Sequence, residues 1–158
     1  MIVIGIDPGT TTTGFGVVEK LNGNINLVDY GIFKTTANID LSIKLLEIGN
    51  DIKDLINKYK PCLIVVEKLF FQTNVKTAID VSHARGVVLY EIIKAGLKLS
   101  EYTPLQVKKA VTGNGKSEKL QLQRAIKMIF KLESIPKPDD AADAIGLAYM
   151  GALNNNFS

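Results

Sequence analysis

Cysteine is nearly missing from this chain: Cys62 is the single one in 158 residues, so no internal disulfide and no thiolate metal site can form within it. Its apolar neighbours predict a buried strand position. Histidine is equally scarce, and the lone His83 fits a structural role better than a catalytic one. No apolar run approaches the roughly 18 residues of a membrane span, and no charged segment followed by an apolar one opens the chain. A cytoplasmic protein with no membrane association is therefore expected. Internal repeats, low-complexity linkers and heptad arrays are absent as well. What is left is one domain over 1–153 with a core drawn from a 46% hydrophobic composition, and an Asn-rich tail over 154–158 that should fray.

Charge is nearly balanced, at +3, which permits nucleic-acid binding without establishing it. The distribution says more. Lys108, Lys109, Lys116, Lys119, Arg124, Lys127 and Lys131 crowd the stretch between Lys94 and Lys137, so a basic surface would be C-terminal.

The β-branched run Ile2 to Asp7 stops at Pro8-Gly9, and Phe15 to Glu19 resumes a strand pattern. Asn22-Gly23 marks a turn, and Ile25 to Lys34 reads as a third antiparallel strand. A helix follows from Leu41 to Tyr59, with Leu41, Leu45, Ile48, Ile52, Leu55 and Tyr59 on one stripe and Asp40 as its N-cap. Leu63 to Val66 is a continuous apolar strand ending at Glu67, of the kind buried on both faces. A loop through Phe70, Phe71 and Asn74 leads to a long helix reaching about Lys94, and Lys98 to Tyr102 is a fifth strand. Thr103-Pro104-Leu105-Gln106 has the form of a capping box, Ser117 can cap a further helix, and Pro136 to Pro138 introduces a last one through Leu153. The predicted class is α/β: a five-stranded mixed sheet, three antiparallel strands and then two parallel ones, with helices on both faces.

Four carboxylates stand out. Asp7 and Glu67 each end a strand, where open α/β sheets build their sites. Asp140 and Asp143 are three apart near a helix start, so both can project from one face. Glu67 ends one of the most apolar strands and Asp143 sits among Ala141, Ala142, Ala144 and Ile145, where an idle charge would be costly. Asp139 lies one turn before Asp143 and could compete with Asp140. Converging acids repel one another unless a cation sits between them. Hard divalent ions suit oxygen ligands, and two of them can drive phosphodiester hydrolysis.

Together, Ile4-Gly5-Ile6-Asp7-Pro8-Gly9 with Gly14, Val66-Glu67 with Phe70, His83-Ala84-Arg85-Gly86-Val87, Gln106-Val107-Lys108 with Gly113, Gly115 and Lys119, and Asp140-Ala141-Ala142-Asp143-Ala144 resemble, in order, the motifs of the RuvC family of Holliday-junction resolvases. The resemblance implies an RNase H-like fold and a homodimer that nicks opposite strands of a four-way DNA junction at symmetric sites. It makes Asp7, Glu67, Asp140 and Asp143 the catalytic, metal-binding acids, with two Mg2+ ions for which Mn2+ may substitute. Lys108 and Lys119 match basic positions beside the scissile phosphate, and Phe70 an aromatic near the junction. Arg85, which could hold a phosphate or merely form a salt bridge on the second helix, and Lys116 join them as candidate DNA contacts, and branch-migration proteins RuvA and RuvB are implied as partners. Lys68, where glutamine is usual, and Thr10 to Thr13 depart from the pattern.

Other readings compete. The opening Gly5 to Thr11 is also similar to the phosphate loop of actin-like kinases, but those close two related domains around a nucleotide and this chain is too short for two. A related nuclease acting on RNA hybrids or on branched DNA in general would share the acids. A junction-binding protein without catalysis would have no need of four acids facing a phosphate backbone.

Overall fold

The computed structural model describes residues 1–68 and 75–155. Five strands, β1 (Ile2–Asp7), β2 (Thr12–Leu21), β3 (Asn24–Lys34), β4 (Leu63–Glu67) and β5 (Lys98–Tyr102), form one sheet in the order β3-β2-β1-β4-β5. The hairpins β1/β2 and β2/β3 are antiparallel, whereas β4 runs parallel to both β1 and β5. Asn22 and Gly23, both at positive φ, close the β2–β3 turn.

Helices cover both faces, and strand alternation decides which side chain faces which layer. Ile4, Ile6, Ile64 and Val66 point toward α1 (Leu41–Tyr59) and α2 (Val75–Lys94), meeting Ile48, Ile52, Ala84, Val88 and Ile92. Val3, Leu63 and Val65 point the other way, into a second core built with α3 (Pro104–Thr112), α4 (Lys119–Phe130) and α5 (Asp139–Asn154). The β4 side chains Leu63 to Val66 are all buried, as a strand between two helical layers requires.

The expected order of elements holds, and the local differences have physical causes. β2 starts at Thr12 instead of Phe15 because the β-branched Thr12 and Thr13 pair with Lys34 and Phe33. Asp40 occupies the N-cap of α1, but its side chain makes no capping bond; its carbonyl accepts from Ile43 and Lys44. Ser117 does not cap α4. It is buried, with its hydroxyl shared between Thr112 and the Asn114 carbonyl, so it staples the α3–α4 turn, and Glu118 takes the cap position with its N–H donating to Gln121 Oε1 at 2.8 Å. The Thr103–Gln106 capping box forms as expected. Cys62 is half-buried, one residue ahead of β4, and its thiol donates to the Ile2 carbonyl. The tail is tied further than expected: α5 includes Asn154, and Lys20 Nζ donates to the carbonyls of Ala152 at 2.7 Å and Asn155 at 3.3 Å. Residues 156–158 lie outside the described residues.

Candidate active site

Asp7 and Glu67 follow Ile6 and Val66, which face each other in the parallel β1–β4 register. Alternation therefore turns both carboxylates to the same side of the sheet as Val3, Gly5, Leu63 and Val65, the side covered by α5. α5 brings Asp140 and Asp143 onto that side from its first turns. It approaches so closely because the strands beneath it carry glycine: a Cβ on Gly5 would stand 2.0 Å from the Ala144 carbonyl, and one on Gly16 2.7 Å from the Ile145 Cα. The helix answers with its own small residues, Ala141, Ala142, Ala144 and Ala148, all buried. The four acids of the sequence reading are thus collected by backbone-to-backbone packing.

Their electrostatics confirm the convergence. Burial pushes Asp7 well above the usual carboxylate range, and the charges of Glu67, Asp143 and Asp140 push it further. Asp143 is pushed up to about 7, by burial first and the Glu67 charge next. Glu67 is also raised by burial, offset by a hydrogen bond with Asp7 and by the charges of Lys108 and Lys119. Asp7 therefore holds the proton and donates it to the Glu67 carboxylate. Among the described residues no three of these side chains stand together as a set that could hold a metal ion, yet Asp7, Glu67 and Asp143 are all raised, and Asp7 and Glu67 are joined by a hydrogen bond. An all-oxygen, net-negative donor set of this kind fits a hard divalent cation, which would take the place of the shared proton.

Beside the acids lies a cleft of about 210 Å³ whose polar lining is Glu67, Asp143, Lys108 and Lys119, over an apolar floor that includes Val107 and Leu122. Two of the predicted DNA contacts thus stand at the cluster. Lys119 Nζ is paired with Asp139, which is held below the ordinary carboxylate range by that lysine. Asp139, a rival of Asp140 in the sequence reading, is thereby the partner of a lysine. Lys116 is exposed in the turn between α3 and α4. Arg85 reaches the sheet from α2, donating from Nε to the Glu67 carbonyl at 3.1 Å and pairing with Glu101. His83 is exposed on α2. Phe70 and Phe71 lie outside the described residues.

Sequence reasoning passed over the spacing role of Gly5, Gly14 and Gly16 and the partners of Lys119 and Arg85. The glycines alternate with Ile4, Ile6, Phe15 and Val17 along β1 and β2, and that alternation is the signal that a helix would lie directly on the strands.

Residues 3–150 match the family model described as crossover junction endodeoxyribonuclease RuvC. The chain is 45% identical over 163 residues to the protein of that description from Ruminiclostridium cellulolyticum, covering 99% of this chain and 98% of the relative. It is 48% identical over 149 residues to the one from Petrotoga mobilis, covering 94% and 91%. Among solved structures it is similar to T. thermophilus RuvC in complex with Holliday junction substrate, with a TM-score of 0.83 at 29% identity over 94% of this chain and 90% of that one. The fowlpox virus Holliday junction resolvase shares the fold, with a TM-score of 0.63 at 16% identity over 98% and 100% of the two chains.

Proposed function

Because the chain belongs to the RuvC family of crossover junction endodeoxyribonucleases, we propose that it resolves four-way DNA junctions by hydrolysing one phosphodiester in each of two opposed strands, with two divalent cations held by Asp7, Glu67, Asp140 and Asp143. The observation that carries the proposal is the gathering of four acids from three elements on one face of the sheet, beside Lys108 and Lys119. Four half-buried acids drawn to one place are expensive to keep for structure alone, and a phosphate backbone would be repelled by their charge unless cations intervene.

Magnesium, or manganese in its place, would supply Lewis-acid polarisation of the phosphate and a water acidified enough to attack it. The chain does the rest. Burial and neighbouring charge favour the protonated forms of Asp7 and Asp143 in the metal-free protein, and as ligands both would have to be ionised. Lys108 and Lys119 stand at the cleft wall, where their ammonium groups would offset charge developing on the non-bridging oxygens of the scissile phosphate. The apolar floor under them lowers the local dielectric and strengthens both effects.

A two-fold homodimer suits paired nicks, since each site then meets the same local geometry. The apolar residues Val75, Ala78, Ile79, Val81, Ala84 and Val88 spread beyond one narrow stripe of α2, which in the sequence suggests an isologous dimer through that helix, but Ala84 and Val88 are buried in the chain's own core. The face of α2 opposite them exposes Val75, Ile79, Tyr90 and Ile93, with Ser82 and Gly86 between, and this face is the proposed dimer contact. RuvA and RuvB as partners and a cytoplasmic location rest on family membership. No described helix is long and apolar enough to cross a membrane.

The test is a synthetic four-way junction with its strands labelled one at a time, incubated with and without magnesium beside Asp7→Asn and Asp143→Asn. Symmetric paired nicks that require metal and vanish in both variants, while junction binding persists, are expected. Binding with no cutting in either magnesium or manganese would leave a junction-binding module instead.

A further inference from the structure

The sequence leaves Arg85 open between a phosphate contact and a salt bridge, and its surroundings suit the second. α2 lies on the face of the sheet opposite the acids, so the guanidinium approaches β4 from behind. It donates from Nε to the main-chain carbonyl of Glu67 at 3.1 Å and forms an ion pair through Nη2 with Glu101 of β5. Its side chain is only 17% exposed. A guanidinium recognises phosphate with a free pair of parallel N–H donors, and here the Nε–Nη2 edge is engaged within the fold.

The engaged carbonyl belongs to the last residue of β4. One bond beyond it, the Lys68 N–H donates to the Tyr102 carbonyl at 2.8 Å, and Glu67 pairs with Tyr102 in the β4–β5 register. The strand end that carries the Glu67 carboxylate is therefore held from β5 on one side and from α2 on the other, with Arg85 joining all three elements. Its two hydrogen-bonded arms fix the carbonyl against Glu101, and through the peptide plane they set the direction in which the Glu67 side chain leaves the strand.

We infer that Arg85 is a positioning residue that orients Glu67 toward the acid cluster, with Glu101 as its anchor, and is not a phosphate contact. The inference rests on the reading of Glu67 as a cation ligand. Partners one step behind a ligand characteristically govern metal affinity by about 10- to 100-fold.

The test uses full-length Arg85→Lys, Arg85→Gln and Glu101→Gln, with Glu67→Gln as reference. Manganese binding is followed by calorimetry, junction binding in chelator as a function of salt, and nicking under single-turnover conditions. Both Arg85 variants should bind manganese about 10- to 100-fold more weakly and nick correspondingly slowly, while the salt dependence of junction binding stays that of the wild type. Lysine should rescue neither, because it lacks the second arm of the fork. Glu101→Gln should move in the same direction by a smaller factor; it keeps Arg85 in place and so decides the matter even if the Arg85 variants fold poorly. Unchanged manganese affinity in Glu101→Gln, or an Arg85→Gln variant that binds manganese normally but loses about 0.9 from its salt slope and regains it with lysine, would overturn the inference. Wild-type protein that binds manganese no better than Glu67→Gln would overturn the ligand reading, and the inference with it.

Discussion

The carbonyl oxygen of Asp140 lies 2.2 Å from the point that a Cβ on Gly14 would occupy. Gly14 is also the register partner of Asp7 across β1 and β2, so one missing side chain sets the spacing between the strand-borne acid and the first turn of α5. Gly14→Ala must lift that turn, and overpacking of this kind costs about 1–3 kcal/mol. Nicking is expected to fall more than about 10-fold beyond what the lost stability explains. Gly151→Ala is the control: its Cβ would meet Val65 Cγ2 at 2.4 Å, about three turns further along α5. It should lower the urea midpoint comparably while nicking per folded molecule is retained.

Asp7 and Asp143 keep protons in the folded chain at pH values where an unfolded chain has released them. Between the ordinary carboxylate pKa of about 4 and the value of about 7 for Asp143, the native state binds more protons than the unfolded one. Stability then falls as pH rises through that window. In chelator the melting temperature is expected to be several degrees higher at about pH 5.5 than at about pH 8, and saturating magnesium should remove most of that difference. An equal slope with and without magnesium would count against cation binding at these acids.

The same charge crowding makes the acids a liability to the empty fold. At about pH 8, Asp143→Asn removes a buried like charge and is expected to stabilise the metal-free protein by on the order of 1 kcal/mol or more, measured by urea unfolding in chelator, while nicking is abolished. A destabilised variant would mean that Asp143 is held by favourable contacts instead of being crowded.

Lys108 and Lys119 both draw the pKa of Glu67 downward. Replacing either by alanine should slow nicking about 10-fold or more and reduce the salt slope of junction binding by about 0.9. Stability should change little for Lys119→Ala, since its pair with Asp139 is exposed and such pairs contribute only about 0.2–1 kcal/mol. Single-turnover nicking and a salt titration in chelator separate the two effects.

The order of strands and helices could be read from the chain because hydrophobic period and punctuation agree along it: Leu63 to Val66 can only be a strand buried on both faces, and the Thr103–Gln106 box starts α3 where expected. Glu67 and Asp143 stood out because their costs are local, a charge at the end of an apolar strand and one inside an alanine run, whereas Asp7 and Asp140 have ordinary turn and helix-start surroundings and stood out only in combination with them. What escaped depends on contacts distant in sequence. Ser117 satisfies the capping pattern, yet its hydroxyl finds Thr112 and Asn114 first. Arg85 has the composition of a phosphate ligand until Glu101 and the Glu67 carbonyl are placed beside it. No periodicity announces which partner a long side chain will reach across the fold.

The docking of α5 on the bare backbone of β1 and β2 also makes the enzyme a check on its own integrity. Asp7 and Glu67 stay with the sheet and Asp140 and Asp143 leave with the helix, so any opening that peels α5 away separates the acids into two incomplete pairs. Cation binding at the proposed site would tie helix to sheet and favour the intact state, so the protein would be armed against DNA only when its fold is whole.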